Sequence, residues 1–269
     1  MSSIDVEGVS VSFPLYGGMA RSLKNRIMSS ATGGRVGSDR RSRTVIQALE
    51  DINFSVQHGE RVALVGHNGA GKTTLLRVLS GIYPPLAGRL VIDGRVAPIF
   101  DIGLGMDPEA TGYDNIRIRG LYLGLTRKEI EAKIPEIAEF TELGPFLDMP
   151  MRTYSAGMQT RLSFAVSTSV DPEILLLDEG IGAGDASFME RARERLRGFV
   201  ERSGILVLAS HDAGLLARLC SRAIRLEHGR IVDDGPFDDV MERFGKATER
   251  HLAEQSRDAT AAPQSDSKS

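Results

Sequence analysis

Only one cysteine, Cys220, occurs in 269 residues, which excludes an internal disulfide framework and fits a reducing compartment. Set in "LARLCSRAIRL", it reads as a small buried hydrophobe rather than a reactive thiol. No apolar run approaches the roughly 18 residues that a spanning helix needs. The N-terminal "MSSIDVEGVSVSF" has neither the basic nor the apolar region of a signal peptide. The expectation is a soluble chain that reaches a membrane only through a partner. Basic excess is also missing: 33 Lys and Arg stand against 36 Asp and Glu, a net charge of −3, which argues against nucleic acid as a partner. His58, His67, His228 and His251 are scattered and suggest no metal cluster, and no internal repeat is found.

What is present is an ordinary globular composition, 41% apolar and 26% charged, long enough for one large domain or two small ones. Residues 4–13 alternate as a strand and are followed by a Gly-, Ser- and Arg-rich stretch to residue 43. "TVIQALEDINFSVQHGERVALVGHNG" then supplies two or three strands. Its "RVALVG" is continuously apolar, as a strand covered on both faces must be. Residues 105–170 turn helical, with Thr126 and Glu129 at capping-box spacing. "EILLLDE" and "GILVLASHD" are short buried strands, and "RAIRLEHGRIVDDG" is a hairpin turning at Gly229. The pattern is α/β, a parallel-sheet core interrupted by a helical insertion. The folded domain is expected over 1–244, with a largely disordered tail over 245–269; beyond about residue 255, "QSRDATAAPQSDSKS" has too few apolar residues to fold.

"GHNGAGKT" directly follows the apolar strand and matches G-x-x-x-x-G-K-[ST]. The glycines let the backbone N–H groups of Gly66, His67, Asn68, Gly69, Ala70 and Gly71 curl around phosphate, and the next helix, entered through Lys72, Thr73 and Thr74, points its positive end at the same place. Lys72 would reach the β- and γ-phosphates, and the Thr73 hydroxyl would ligate Mg²⁺. A plain Gly-rich turn would leave the Lys-Thr pair unexplained. "ILLLDE" ends a buried strand in two carboxylates. Asp178 would hold Mg²⁺, mostly through its waters, and Glu179 would orient and deprotonate the attacking water. As two exposed acids capping the next segment they would need no nucleotide. His211 closes "ILVLASHD" at the same sheet edge, where it could donate to the γ-phosphate or the attacking water, although a lone histidine is more often structural.

One stretch, "TYSAGMQTRLSFAVS", is not absorbed by that site. Ser155 would cap a helix beginning near Met158, with Gly157 allowing close backbone approach. Such a helix start is a second anion site, for which one chain offers no second triphosphate. Two chains packed head to tail would, each closing the other's P-loop; simple capping is the alternative.

P-loop, helical insertion, "YSAGMQTR", "LLLDE" and "ASHD", in that order over residues 4 to about 240, resemble the ATP-binding cassette family. The resemblance implies a P-loop NTPase (RecA-like) core, an antiparallel β-subdomain and an inserted helical subdomain over about 105–170. It also implies that two copies sandwich and hydrolyse ATP with Mg²⁺. Asp185 in "GAGDASF" matches the family's D-loop acid, and Phe13 (or Tyr16) is placed to stack on adenine, a core-facing strand position being the alternative for Phe13. The signature has Tyr154, Ala156 and Met158 where Leu, Gly and Gln are usual. No glutamine lies between P-loop and signature, and Asp101 sits nearest the Q-loop position, which puts it forward as a metal-side residue.

"GRVAPIFDIGLGMDPEATGYDNIRIRGLYLG", "YSAGMQTRLSFAVS" and "LLLDEGIGAGDASF" further resemble the ATPases that export envelope polysaccharide, such as O-antigen, galactan or teichoic acid. The implied partners are a second copy, held at the cytoplasmic face of the inner membrane as a peripheral subunit, and a permease that contacts the lipid-linked glycan. Some members carry a C-terminal carbohydrate-binding domain, and none is expected here. In "GGMARSLKNRIMSS", Met19, Leu23 and Ile27 fall on one helical face with Arg21, Lys24 and Arg26 beside them, fitting the membrane surface, the permease or the chain's own β-subdomain. "RVGSDRRSR" reads as a solvated loop, with lipid headgroups the alternative contact. A drug or small-lipid exporter, or a cassette acting on ribosomes or DNA, are the rival functions.

Overall fold

A computed structural model describes residues 1–14, 36–38, 44–100, 103–178 and 186–248. Two sheets organise the chain. The first is antiparallel, in the order β2 (Val36–Ser38), β3 (Thr44–Gln57), β1 (Ser3–Pro14), β5 (Ala87–Asp93). The second has six strands, in the order β10 (Arg230–Pro236), β9 (Arg222–Glu227), β4 (Arg61–Val65), β8 (Ile205–Ala209), β7 (Ile174–Leu177), β6 (Val96–Ile99). Four of its five pairings are parallel, and the fifth is the antiparallel β9–β10 hairpin at the edge.

The apolar runs of β4, β7 and β8 are buried almost without interruption because each face of the sheet meets its own core. Alternate residues divide between the two. Ala63, Val65, Leu175, Leu177, Leu206 and Leu208 enter one cluster, and Val62, Leu64, Ile174, Leu176, Ile205 and Val207 enter the other. This is the period-two geometry of a strand with both sides covered. Each fully buried aliphatic side chain contributes about 1.5–3 kcal/mol of transfer free energy.

On the second of those faces lie β1, β3 and α1 (Lys72–Leu79), which buries Leu75, Leu76, Val78 and Leu79. Three helices pack with the first cluster: α2 (Gly112–Tyr122), α3 (Arg127–Thr141) and α4 (Ala156–Ser167). Each of the three has a working N-cap. Thr111 accepts from Asp114 N, Thr126 and Glu129 form a full capping box, and Ser155 accepts from Met158 N. The signature helix therefore starts two residues before Met158, because the cap is Ser155 itself. Tyr154, in place of the usual leucine, is buried and donates its hydroxyl to the Phe146 carbonyl at 2.5 Å. A Cβ on Gly112 would lie 2.4 Å from that hydroxyl, so Gly112 and Tyr154 suit one another.

Beyond α4 come α5 (Ala186–Arg202) and α6 (Ala213–Leu219). A last helix, α7 (237–248), follows β10. It runs past the expected 244/245 boundary to residue 248. Val240 is buried, Phe244 packs on His67 with ring centroids 5.3 Å apart, and Lys246 pairs with Glu242, so apolar and charge contacts carry the helix past residue 244. β2 is a second difference: the Gly-, Ser- and Arg-rich stretch to residue 43 contributes a strand paired with Thr44–Ile46. The rest of the 17–43 insertion, Tyr16, and residues 249–269 lie outside the described residues.

Candidate nucleotide site

The parallel strands β4, β8 and β7 are neighbours, so their carboxyl ends bring together three sequence motifs. After β4 the chain turns at Gly66 and enters α1 through Gly71, its N-cap, at φ 143° and 114° respectively. A Cβ at Gly66 would sit 2.2 Å from the Leu226 carbonyl oxygen, so the loop lies hard against β9. Lys72 folds back over this loop, its Nζ donating to the carbonyls of Gly66 at 2.6 Å and His67 at 3.3 Å. The β9–β10 turn braces the loop from behind. Gly229 N donates to the Ala70 carbonyl at 2.9 Å, and the Gly229 carbonyl accepts from Glu50 N at 2.8 Å.

A cavity of 410 Å³ opens over the loop, lined by Asn68, Gly69, Ala70, Gly71, Lys72, Thr73 and Thr74, with Asp178, His211, Ile46 and Ala48 around it. Asp178 stands one residue beyond β7, and its carboxylate accepts from the Thr73 hydroxyl at 2.7 Å. Mg²⁺ is usually held by one or two carboxylates plus phosphates and water, and this pair of hard oxygen donors suits it. Among the described residues no three His, Cys, Asp or Glu side chains converge, so a cation here would draw its remaining ligands from phosphate and water. His211 stands two residues past β8, just before α6, which Asp212 caps by accepting from Leu215 N. It faces both this cavity and a second one of 320 Å³ behind the P-loop, where His67, Met241 and Phe244 also lie.

P-loop, Thr73, Asp178 and His211 are thus brought together. Ser155 and Gly157 head α4 in the helical layer and do not line either cavity; Ser155 is exposed, and Gly157 has open space around its Cβ position apart from the Ser155 hydroxyl at 3.9 Å. Phe13 lies beside Ile46 in the β1–β3 register, yet its ring packs edge-on against Tyr83 at 5.1 Å and does not line the cavity. Ile46 and Ala48 form the apolar wall instead, and no motif marked them. Asp101, Glu179 and Asp185 lie outside the described residues. Cys220 is buried as expected, and burial pushes its thiol up to about 12.

The ABC transporter family model matches residues 49–182. The O-antigen export system ATP-binding protein RfbE of Yersinia enterocolitica is 49% identical over 234 residues, 87% of this chain and 98% of the relative. The chain belongs to the ABC transporter family. The cassette is also 35% identical over 244 residues to the O-antigen export system ATP-binding protein RfbB of Klebsiella pneumoniae, covering 91% and 98% of the two chains. A teichoic acids export ATP-binding protein, TagH of Lactococcus lactis, is 36% identical over 227 residues; the cassette spans 47% of that longer protein. Among solved structures, the ATP-binding subunit of an ABC transporter superposes with a TM-score of 0.62 at 24% identity, covering 90% and 93%. A dimeric post-hydrolysis state of an ATP-binding cassette bound to ADP and Pi superposes with a TM-score of 0.61 at 20% identity, covering 87% and 98%. The shared fold is that of the ABC ATPases, and the cassette is one of them. Among the described residues no helix is long and apolar enough to cross a membrane.

Proposed function

We propose that this cassette is the ATP-hydrolysing subunit of an exporter that moves lipid-linked envelope polysaccharide, of the O-antigen or galactan kind, across the inner membrane. The observation that carries the substrate is the match to O-antigen export proteins over 98% of their length. The P-loop N–H groups and Lys72 bind the ATP phosphates; Thr73 and Asp178 would hold Mg²⁺, which when bound would supply charge neutralisation. Glu179, next in sequence to Asp178, orients and deprotonates the attacking water, and His211 donates to the γ-phosphate side.

Two copies work head to tail. The exposed, Ser155-capped start of α4 supports this, since it is an anion site with no phosphate of its own chain at hand. From sequence alone, Asp185 is assigned a role at the contact between copies and Asp101 a role toward the cation. The dimer sits on a permease at the cytoplasmic face, and the partly exposed Leu104, Ile118, Leu121 and Tyr122 on and beside α2 supply an apolar contact surface for it.

Glu179→Gln expressed in the native host is the test. Lipid-linked intermediates are extracted and their glycans analysed by mass spectrometry. Accumulated lipid-linked polysaccharide is the expected result and also identifies the glycan. Unchanged envelope glycans and intermediates, with ATP hydrolysis lost, would overturn the substrate and leave a drug or small-lipid exporter as the better assignment.

A further inference from the structure

Helix α2 buries two polar side chains one turn apart, Asn115 and Arg119. Asn115 pins the end of the preceding loop. Its carbonyl accepts from Asp107 N at 2.7 Å, and its amide donates to the carbonyls of Asp107, Thr111 and Ala110 at 2.8, 3.0 and 3.2 Å. Arg119 is 1% exposed, and no carboxylate among the described residues pairs with it. Its guanidinium donates to the Leu104 carbonyl and, at 3.4 Å, to the Ser167 hydroxyl, and lies 5.2 Å from the Tyr122 ring centroid. Nε has no hydrogen-bond partner.

A guanidinium buried among neutral acceptors is an expensive way to fill space, and burial lowers its pKa. An apolar side chain of the same length would fill the volume without desolvating a charge. What an apolar side chain cannot do is grip both structures that Arg119 joins. One is the loop leaving β6; β6 ends at Ile99 beside Leu177 of β7, one residue before Asp178. The other is the C-terminal end of α4, twelve residues and about 18 Å from the Ser155 cap.

We propose that Arg119 is a positioning residue: it fastens the loop beside the Asp178 strand to α4, so that the Ser155 helix start is held at the angle at which it meets nucleotide in a second copy's P-loop. The tie rests on the head-to-tail dimer proposed above. It predicts a variant that folds and binds a single nucleotide normally but assembles and hydrolyses poorly.

Arg119→Met removes the charge and keeps the length. The full-length protein is assayed for melting temperature, ADP affinity, ATP-driven dimerisation in EDTA, and ATP hydrolysis with Mg²⁺. The expected result is a melting temperature at or above that of the unsubstituted protein and ADP affinity within about twofold. Dimerisation and kcat both fall about tenfold, in the range that coupling residues command. Ser167→Ala gives a smaller loss, and the double variant is no worse than Arg119→Met, because both break one tie. Should Arg119→Met fail to fold, Arg119→Lys keeps a buried cation but cannot bridge both acceptors, and must show the same split. Arg119 variants that dimerise and hydrolyse as the unsubstituted protein does, or that lose ADP affinity in step with hydrolysis, overturn the proposal. Unsubstituted protein that hydrolyses ATP while remaining monomeric overturns the dimer itself, whatever Arg119 does.

Discussion

Gly66→Ala should disable the phosphate loop in a way that the geometry quantifies. Gly66 has φ 143°, and a Cβ there would lie 2.2 Å from the Leu226 carbonyl oxygen and 3.1 Å from the Ala70 Cβ. A carbon–oxygen contact settles at about 3.3 Å, so the loop must withdraw about 1 Å from β9. The obstacle is backbone in the sheet, which cannot swing aside as a side chain would. Backbone strain at such a φ costs about 1–3 kcal/mol. Overpacking adds about 1–3 kcal/mol. For a chain of this size the melting temperature should therefore drop by about 5–20 °C. Moving the loop also moves the Gly66 carbonyl that holds Lys72 at 2.6 Å, so nucleotide contacts suffer too. Losing even one hydrogen bond to a charged phosphate costs about 1.5–3 kcal/mol, at least about tenfold in ATP affinity. Gly59→Ala is the control: Gly59 is at φ 95° with no atom within 4 Å of its Cβ position, so it carries backbone strain alone. Scanning fluorimetry with and without ATP, together with nucleotide titration, separates the two. Equal stability losses in both variants, or ATP affinity in Gly66→Ala within about threefold of normal, would refute the close-packed loop.

Thr73→Val removes the hydroxyl 2.7 Å from Asp178 while keeping the shape. Melting temperature should change by less than about 3 °C, since the bond is exposed, whereas Mg²⁺-dependent hydrolysis should fall by about 100-fold or more; hydrolysis that survives would remove Thr73 from the cation site. Tyr154→Phe leaves the Phe146 carbonyl without its 2.5 Å partner and should cost about 1–3 kcal/mol, read as a lower urea midpoint at unchanged slope. Cys220 bears on alkaline stability. Burial raises its folded-state pKa from 9.0 to about 12, so the buried thiol's contribution is complete below pH 9 and is lost as pH rises toward 12. Across that window stability should decline by about 1.4 kcal/mol per pH unit more than in Cys220→Ala; identical slopes would contradict the burial of the thiol.

Much of the site was legible because its parts are local. "RVALVG", "ILLLD" and "ILVLASH" are apolar runs ending in chemistry, and a run buried on both faces has few other places to go than the middle of a parallel sheet. Likewise Thr126 and Glu129 form their capping box within four residues. What could not be read is what depends on distant partners. β2 is three residues inside a polar stretch and exists through pairing with β3. The Gly229 brace on Ala70 joins positions 159 residues apart, and nothing in a hairpin turn announces it. Aromatic character in sequence offers Phe13 (or Tyr16) as an adenine platform, or Phe13 as a core-facing strand residue, and cannot show that the Phe13 ring meets Tyr83 or that Ile46 and Ala48 line the cavity. Arg119 and Asn115 look like ordinary solvent-facing helix residues in sequence, since burial of a charge has no sequence pattern. The last helix reaches residue 248 through Phe244 and the Glu242–Lys246 pair, in an otherwise polar segment where no apolar period marks its end.

The central claim is that the working site is shared between two copies, P-loop from one and signature helix from the other. Mixing two disabled proteins tests it directly. Lys72→Ala spoils the P-loop but leaves the start of α4 intact; Ser155→Arg blocks the start of α4 but leaves the P-loop intact. Each alone should be inactive. In an equal mixture about half of the dimers pair one of each, and each such dimer holds one complete site, so hydrolysis should recover to about a quarter of the unsubstituted rate. A mixture as inactive as its components, or Ser155→Arg protein that hydrolyses ATP normally by itself, would contradict the shared site.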